Sequence, residues 1–218
     1  MTRLHLPRLY AIVDAGQARA SGWSVPDLAR AYLEGGARLL QVRAKQASAA
    51  AYLDMCEAVV EAARPFGATI IVNDRADVAW LAGAHGVHVG QDDLPVGAVR
   101  AAFGGLAIVG LSTHTHEQVA AAEADAPDYV AVGPVFGTST SATGYEAVGL
   151  GLVRDAARWH GDRAGAPRRP VVAIGGITLE RAREVVDAGA ASVAVISDLL
   201  AGGEPSARVR RYLDILGG

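Results

Sequence analysis

The sequence predicts an α/β fold, a single (β/α)8 TIM barrel domain that spans residues 1–218. Eight short apolar runs rich in β-branched residues recur along the whole chain. Amphipathic segments separate these runs, and such alternation indicates a parallel sheet with helical crossovers. Eight units in 218 residues match a compact closed barrel better than an open doubly wound sheet. The open sheet is the second choice, because periodicity alone does not prove closure.

The predicted elements follow one another at short intervals. In chain order, the predicted strands are LYAIVD (9–14), RLLQVR (38–43), TIIVN (69–73), GVHV (86–89), AIVGLS (107–112), DYVAVG (128–133), VVAIG (171–175) and SVAVI (192–196). Between them lie segments such as VPDLARAYLEGG, in which apolar residues recur every three or four positions. Several of these segments end at glycine, which is a helix stop signal.

Composition and charge narrow the classes of function. The chain has 20 basic and 23 acidic residues and a net charge of −3, which argues against a broad nucleic-acid surface. No apolar run has the length of a membrane span, and the N-terminal segment does not resemble a secretory signal. The lone Cys56 excludes an internal disulfide and gives no support to a zinc cluster, so the expected location is cytoplasmic.

The second strand ends in QVRAK, which brings an amide and two cations to the rim of the barrel. In such barrels the chemistry lies at the carboxyl ends of the strands. Gln41, Arg43 and Lys45 alternate along the chain, so an extended backbone turns all three to one side. Two cations and an amide on one side suit a diphosphate. A solvated strand exit is the equally simple alternative.

The third and fourth strands end in NDRADVAW and GVHVGQDD, which contain candidate metal ligands. Asp74 and Asp93 are hard oxygen donors of the kind that Mg²⁺ takes, one or two at a time, beside substrate phosphate. Asp and Asn are also preferred helix N-caps, and either residue alone is explained in that way. Their occurrence at adjacent strand ends, beside two cations, favours metal. Asp92 is expected to face solvent.

The last three loops carry the features of an anion site. The sixth strand leads into GPVFGTSTSATGYEAVG, a loop rich in glycine and hydroxyl groups that contains no lysine or arginine. AIGGIT and VAVISDL end the seventh and eighth strands. The common phosphate site of this architecture has glycine after the seventh strand and a small polar residue after the eighth, where that residue opens a helix. Gly176, Ile196 and Ser197 are the candidates.

The fifth strand ends in GLSTHTHEQ, where Ser112 is a candidate donor to a phosphate oxygen. For His114, a role as an acid or base and a place in an ordinary helix start are equally supported. His116 is expected to belong to the helix start. His88, inside a short strand, is expected to be a hydrogen-bonded barrel histidine. Cys56 is expected in the core.

The rim thus carries two anion sites, and two phosphorylated substrates that meet there indicate a transferase.

In order along the chain, the motifs QVRAK, NDRADVAW, GVHVGQDD, GLSTHT, DYVAVGPVFGTST, AIGGIT and VAVIS resemble those of the thiamine-phosphate synthase family. The resemblance runs from the first strand to the eighth helix. It implies a (β/α)8 enzyme that joins 4-amino-2-methyl-5-pyrimidinylmethyl diphosphate to a thiazole phosphate, with Mg²⁺, and releases diphosphate. Members are often homodimers, although no feature of this sequence indicates an interface.

The resemblance also assigns roles to residues. It places the pyrimidine diphosphate on Gln41, Val42, Arg43, Ala44, Lys45, Asn73 and Ser112, of which Arg43, Lys45 and Ser112 are catalytic. It gives Mg²⁺ to Asp74 and Asp93. It places the thiazole phosphate on Thr138, Ser139, Thr140, Gly176, Ile196 and Ser197, and it puts Ser141 among the substrate-binding residues, on the side of the diphosphate.

One position departs from the family's pattern. The TxT of the sixth loop is normally followed by a lysine that reaches the diphosphate, and here Ser141 stands in its place. Arg43, Lys45 and the metal are expected to carry the charge without it.

Three rival functions remain open. A thiazole tautomerase of the same superfamily shares the barrel but has a histidine where this chain has Pro134, and its pyrimidine-site motifs are weaker. A non-catalytic binder of thiamine precursors would explain Ser141, but the intact carboxylates argue against it. A sugar-phosphate isomerase barrel does not explain two anion sites.

Overall fold

The computed structural model describes residues 4–137, 144–161 and 169–217, which form a barrel of eight parallel strands. The strands are β1 (Leu9–Asp14), β2 (Leu39–Arg43), β3 (Thr69–Asn73), β4 (Gly86–Val89), β5 (Ile108–Thr113), β6 (Tyr129–Val132), β7 (Val171–Ile174) and β8 (Ser192–Val195). Every predicted strand is present, with its ends within one residue of the prediction.

Helices follow the strands around the outside of the barrel. In the described residues they are α1 (Ala15–Ala20), α2 (Val25–Glu34), α3 (Ala49–Ala63), α4 (Ala76–Leu81), α5 (Val96–Ala102), α6 (His116–Asp125), α7 (Gly149–His160), α8 (Leu179–Asp187) and α9 (Pro205–Leu216). Three begin at hydroxyl caps, in which Ser24, Ser48 and Thr115 each accept from a backbone N–H three residues on. No described helix is long and apolar enough to cross a membrane.

The sheet closes on itself. Each strand pairs with its sequence neighbour, and β1 pairs in parallel with β8, with Leu9 opposite Val193. The predicted barrel is therefore confirmed, and the open-sheet alternative is wrong.

The apolar residues divide into two layers according to the alternation along each strand. In β1, Leu9, Ala11 and Val13 pack against the surrounding helices, in the larger core cluster. Tyr10 and Ile12 point inward and belong to a smaller cluster that fills the barrel. Cys56 lies in the outer layer, as expected, and burial raises the pKa of its thiol to about 12.

Candidate active site

A cavity of about 710 Å³ lies at the carboxyl ends of the strands, and all eight strands contribute to its lining. The predicted site residues that line it are Gln41, Arg43, Lys45, Asn73, Asp74, Asp93, Ser112, Gly176, Ile196 and Ser197. Val42 and Ala44 do not line it, because their side chains are buried in the layer between barrel and helices. Thr138, Ser139, Thr140 and Ser141 lie outside the described residues.

Three polar side chains at the end of β2 face the cavity, and they differ in their burial and in their partners. Gln41 is buried and donates from Nε2 to the hydroxyl of Tyr10 at 2.9 Å. Arg43 forms an ion pair with the buried Asp14, which also caps α1. Lys45 lines the cavity, is more than half exposed and pairs with Asp74. The alternation predicted for this segment thus brings an amide and two cations to one wall.

Asp74 and Asp93 stand at the ends of β3 and β4, and neither caps a helix. The N-cap positions of α4 and α5 are held by Arg75 and Pro95, without a side-chain cap hydrogen bond. Asp93 instead accepts from the backbone N–H of Gly90 at 2.7 Å. Asp74 has a φ of +63°, a left-handed conformation that is uncommon outside glycine and that Asp and Asn tolerate best. The capping explanation for these two residues is therefore wrong.

The electrostatics of this carboxylate pair favour a cation. Burial and the neighbouring Asp93 raise the pKa of Asp74, even though Lys45 acts in the opposite direction. Among the described residues, no group of three or more His, Cys, Asp or Glu side chains is arranged to hold a metal. Asp74 and Asp93 could together hold a divalent cation, with its remaining ligands supplied by substrate or water.

The opposite wall of the cavity is built from the loops after β7 and β8. Gly175 and Gly176 have φ values of +102° and +63°. A Cβ on Gly176 would lie 2.5 Å from the carbonyl oxygen of Gly137, so a side chain there would collide with the loop after β6. Glycine is therefore required at this position for both its conformation and its lack of volume.

The turn after β8 is held from behind by a single carboxylate. Ser197–Leu200 forms a 3-10 turn, and Asp198 within it accepts from the backbone N–H of Leu179 at 3.1 Å. The same carboxylate accepts from Arg208 at 2.7 Å and from the hydroxyl of Tyr212 at 2.5 Å. These contacts tie the turn to α8 and α9, so the backbone around Ile196 and Ser197 is fixed in place.

The sequence did not indicate Arg181, which also lines the cavity. Its guanidinium lies 4.5 Å from the ring centroid of Phe136, and Nη1 donates to the carbonyl of Gly176 at 3.4 Å. Arg181 is in the first turn of α8, where a cation is unfavourable to the helix dipole. That misplaced charge is the signal that could have identified it.

Two further inward-facing residues, Tyr10 and Tyr129, were also not predicted. Both are buried, and their hydroxyl groups are hydrogen-bonded to one another. The Tyr129 hydroxyl is also hydrogen-bonded to His88. Burial lowers the pKa of His88 to about 4 and raises the pKa of both tyrosines. All three side chains are therefore neutral at pH 7, and the expectation that His88 is a hydrogen-bonded barrel histidine is confirmed.

Two histidines follow β5, and they differ in their surroundings. His114 lines the cavity, with Nδ1 2.6 Å from the carbonyl oxygen of Gly133 and its ring stacked on Tyr145 at 4.0 Å. His116 is exposed and pairs with Asp155 on α7. His116 therefore belongs to the helix surface, as expected.

Comparison with known proteins places this cavity in a family. The model of the thiamine monophosphate synthase family matches residues 9–199. The thiamine-phosphate synthase of Koribacter versatilis is 44% identical over 215 residues, which cover 98% of this chain and 97% of that protein. The thiamine-phosphate synthase of Mycobacterium sp. strain KMS is 42% identical over 217 residues, with 95% of this chain and 92% of that protein covered.

The same family is found among solved structures. A thiamine phosphate pyrophosphorylase from Pyrococcus furiosus superposes with a TM-score of 0.84 at 28% sequence identity, and 96% of each chain is covered. The family model, the sequence relatives and the fold agree over nearly the whole chain. The chain belongs to the thiamine monophosphate synthase family.

Proposed function

We propose that this transferase joins 4-amino-2-methyl-5-pyrimidinylmethyl diphosphate to a thiazole phosphate, with Mg²⁺, to give thiamine phosphate and free diphosphate. One observation carries the proposal: a single cavity has cations and a carboxylate pair on one wall and glycine-rich turns on the other. Two phosphorylated substrates bound at these walls would meet between them.

The pyrimidine diphosphate is assigned to the wall formed by β2 to β5. Arg43 and Lys45 face the cavity from the end of β2 and would contact phosphate oxygens. Asn73 and Ser112 line the same wall and would contact the remaining polar groups of this substrate. Asp14 holds the guanidinium of Arg43 at the rim, so its position is set before substrate arrives.

Asp74 and Asp93 would hold Mg²⁺ beside the diphosphate. When bound, Mg²⁺ would neutralise charge that develops on the departing diphosphate. The C–O bond of the pyrimidinylmethyl group breaks, and its electron pair leaves with diphosphate. The thiazole nitrogen then donates its lone pair to the methylene carbon, which forms the C–N bond. Arg43 and Lys45 stabilise the leaving group electrostatically, and no side chain needs to move a proton.

The thiazole phosphate is assigned to the opposite wall. Gly176, Ile196 and Ser197 are placed on turns of the kind that offer backbone N–H groups to phosphate. Arg181 supplies a cation on this wall, next to Gly176. The family resemblance assigns Thr138, Ser139 and Thr140 to the same phosphate. We also infer a cytoplasmic location, since the single cysteine cannot form an internal disulfide.

The proposal is tested by incubating the protein with both substrates and Mg²⁺ and measuring thiamine phosphate by chromatography. Formation of the product supports the synthase function. Isomerisation of the thiazole without coupling would favour the tautomerase, although Pro134 stands in the cavity where that branch has histidine. Binding of both substrates without turnover would favour the non-catalytic binder.

A further inference from the structure

Five polar side chains form one hydrogen-bonded chain across the floor of the cavity. Gln41 Nε2 donates to the hydroxyl of Tyr10 at 2.9 Å, and this oxygen lies 3.0 Å from the hydroxyl oxygen of Tyr129. The Tyr129 hydroxyl lies 2.9 Å from Nδ1 of His88, and Nε2 of His88 lies 2.8 Å from Oγ of Ser112. The chain joins β2, β1, β6, β4 and β5 and ends at two residues that face the cavity.

The missing side chain of Gly110 leaves space inside the barrel for this hydrogen-bonded chain. Gly110 lies between His88 and Tyr129 in the register of β4, β5 and β6. A Cβ on Gly110 would lie 2.0 Å from Cζ of Tyr129, so the ring occupies the space that a side chain would need. The ring of Tyr129 also stacks on the imidazole of His88, with 5.5 Å between the ring centroids. The contact between the two residues is therefore fixed by packing as well as by hydrogen bonding.

Two arrangements of the protons give every link of this chain one donor and one acceptor. Each hydroxyl has one proton to donate, and the neutral imidazole has one N–H. When Gln41 Nε2 donates to Tyr10, the hydrogen bonds of the described residues offer the Tyr10 proton an acceptor only at Tyr129, and Tyr129 in turn donates to Nδ1 of His88. Nε2 of His88 then carries the proton and donates to Ser112. If the Gln41 amide turned over, every bond in the chain would reverse.

The two ends of the chain are therefore linked. In the arrangement that has Gln41 Nε2 as the donor, Ser112 accepts from His88 and keeps its own proton for a partner in the cavity. Gln41 uses one of its two amide N–H groups on Tyr10, and the hydrogen bonds of the described residues leave Oε1 without a donor. In the reversed arrangement, Gln41 would offer a donor and Ser112 only lone pairs. A buried polar group without a partner is costly, so mixed arrangements are disfavoured.

We propose that His88 and Tyr129 are positioning residues that set the hydrogen-bonding direction of Ser112 and Gln41 towards the pyrimidine substrate. The cavity thus offers a hydroxyl donor at Ser112 and an amide acceptor at Gln41. This selects a flat heteroaromatic ring with an amino donor on one edge and an acceptor, either a ring nitrogen or a phosphate oxygen, on the other. The identity of that substrate rests on the proposed function, whereas the direction of the chain does not.

The direction is tested in the free protein by ¹⁵N NMR of the imidazole groups at pH 7.5. The His88 signals are identified by their loss in His88→Gln. We expect a single neutral tautomer with the proton on Nε2 and a bare Nδ1 nitrogen. A proton on Nδ1, or an equal mixture of the two tautomers, would overturn the proposal, whether or not the enzyme is active.

Tyr129→Phe tests the positioning role, because it keeps the ring and removes the hydroxyl that links Tyr10 to His88. We expect the KM for the pyrimidine diphosphate to rise about tenfold, the effect of one lost hydrogen bond in a desolvated site. The KM for the thiazole phosphate should stay unchanged, and the His88 signals should move from those of the single tautomer.

Tyr32→Phe is the matched control. Tyr32 is fully buried, and its hydroxyl has no hydrogen-bond partner in the part of the chain that the structure describes. This variant should change neither KM nor the His88 signals. Equal increases in both KM values for Tyr129→Phe, with unmoved His88 signals, would mean that Tyr129 only supports the fold. Wild-type protein that forms no thiamine phosphate would refute the proposed function but leave the NMR result to decide the direction of the chain.

Discussion

Lys45 Nζ lies 3.5 Å from Oδ2 of Asp74, which places a cation from β2 against a carboxylate from β3. Asp93 lies close enough to Asp74 to raise the pKa of that carboxyl. Three charged groups from three successive strands thus share one corner of the cavity. Such a corner would suit the proposed metal–diphosphate complex, in which the two carboxylates would hold the metal and the lysine would contact phosphate.

Asp74→Asn and Asp93→Asn should each lower kcat by about 100-fold or more, the loss expected for a group that stabilises developing charge. Asparagine is the suitable replacement, because it tolerates the left-handed backbone of Asp74. Neither residue caps a helix, so the melting temperature should change little. Asp77→Asn is the control, since Asp77 pairs with Arg75 outside the cavity. A variant that melts early yet turns over normally would contradict the metal assignment.

Arg181→Ala should raise the KM for the thiazole phosphate about tenfold, because a charge-assisted contact contributes roughly 1.5–3 kcal/mol in the absence of screening and Arg181 is exposed. The KM for the pyrimidine diphosphate should not change. Arg183→Ala is the matched control on the same helix, where Arg183 pairs with Asp187 away from the cavity. Steady-state kinetics with each substrate varied in turn separates the two. Equal kinetics for both variants would remove Arg181 from the phosphate site.

Ser141→Lys should raise kcat/KM modestly, by about tenfold at most, since it restores a cation that the family normally has beside the diphosphate. In the proposed complex, Arg43, Lys45 and Mg²⁺ would already offset much of that charge, which limits the expected gain. The increase should appear when the pyrimidine diphosphate is varied and should shrink at high salt. A large loss of activity would instead show that the serine hydroxyl has a role of its own.

His88 should make the folded state sensitive to acid. Burial holds its pKa at about 4 in the folded protein, whereas an unfolded histidine titrates near 6.5. Between these values the unfolded state binds the proton and the folded state does not, so stability falls as pH falls from about 6.5 to 4, by up to about 3 kcal/mol. Urea unfolding of wild type and His88→Gln across this range isolates the contribution. An identical pH dependence in both proteins would contradict it.

The barrel was predictable because its strands are short apolar runs whose neighbours in sequence are also neighbours in space. The rim residues of β2 to β4 were predictable for the same reason, since alternation and strand order place Arg43 and Asp74 at the ends of neighbouring strands. Alternation also excludes Val42 and Ala44 from the cavity, which the family resemblance alone did not reveal.

The floor of the cavity could not be predicted in the same way. Tyr10 and Tyr129 are 119 residues apart, and each stands in an apolar strand where it resembles an ordinary core residue. Their contact depends on the space left by Gly110, which only the register of three strands defines. The pairing of Asp14 with Arg43 and the support of the β8 turn by Asp198 likewise arise from tertiary packing.

Diphosphate release is the measurement that tests metal-assisted coupling most directly. It should be followed with each substrate alone and with both together, as Mg²⁺ is titrated and then removed with excess chelator. We expect rapid release only when both substrates and Mg²⁺ are present, and its loss in chelator should be reversed by added Mg²⁺. Undiminished release of diphosphate in excess chelator would contradict the account.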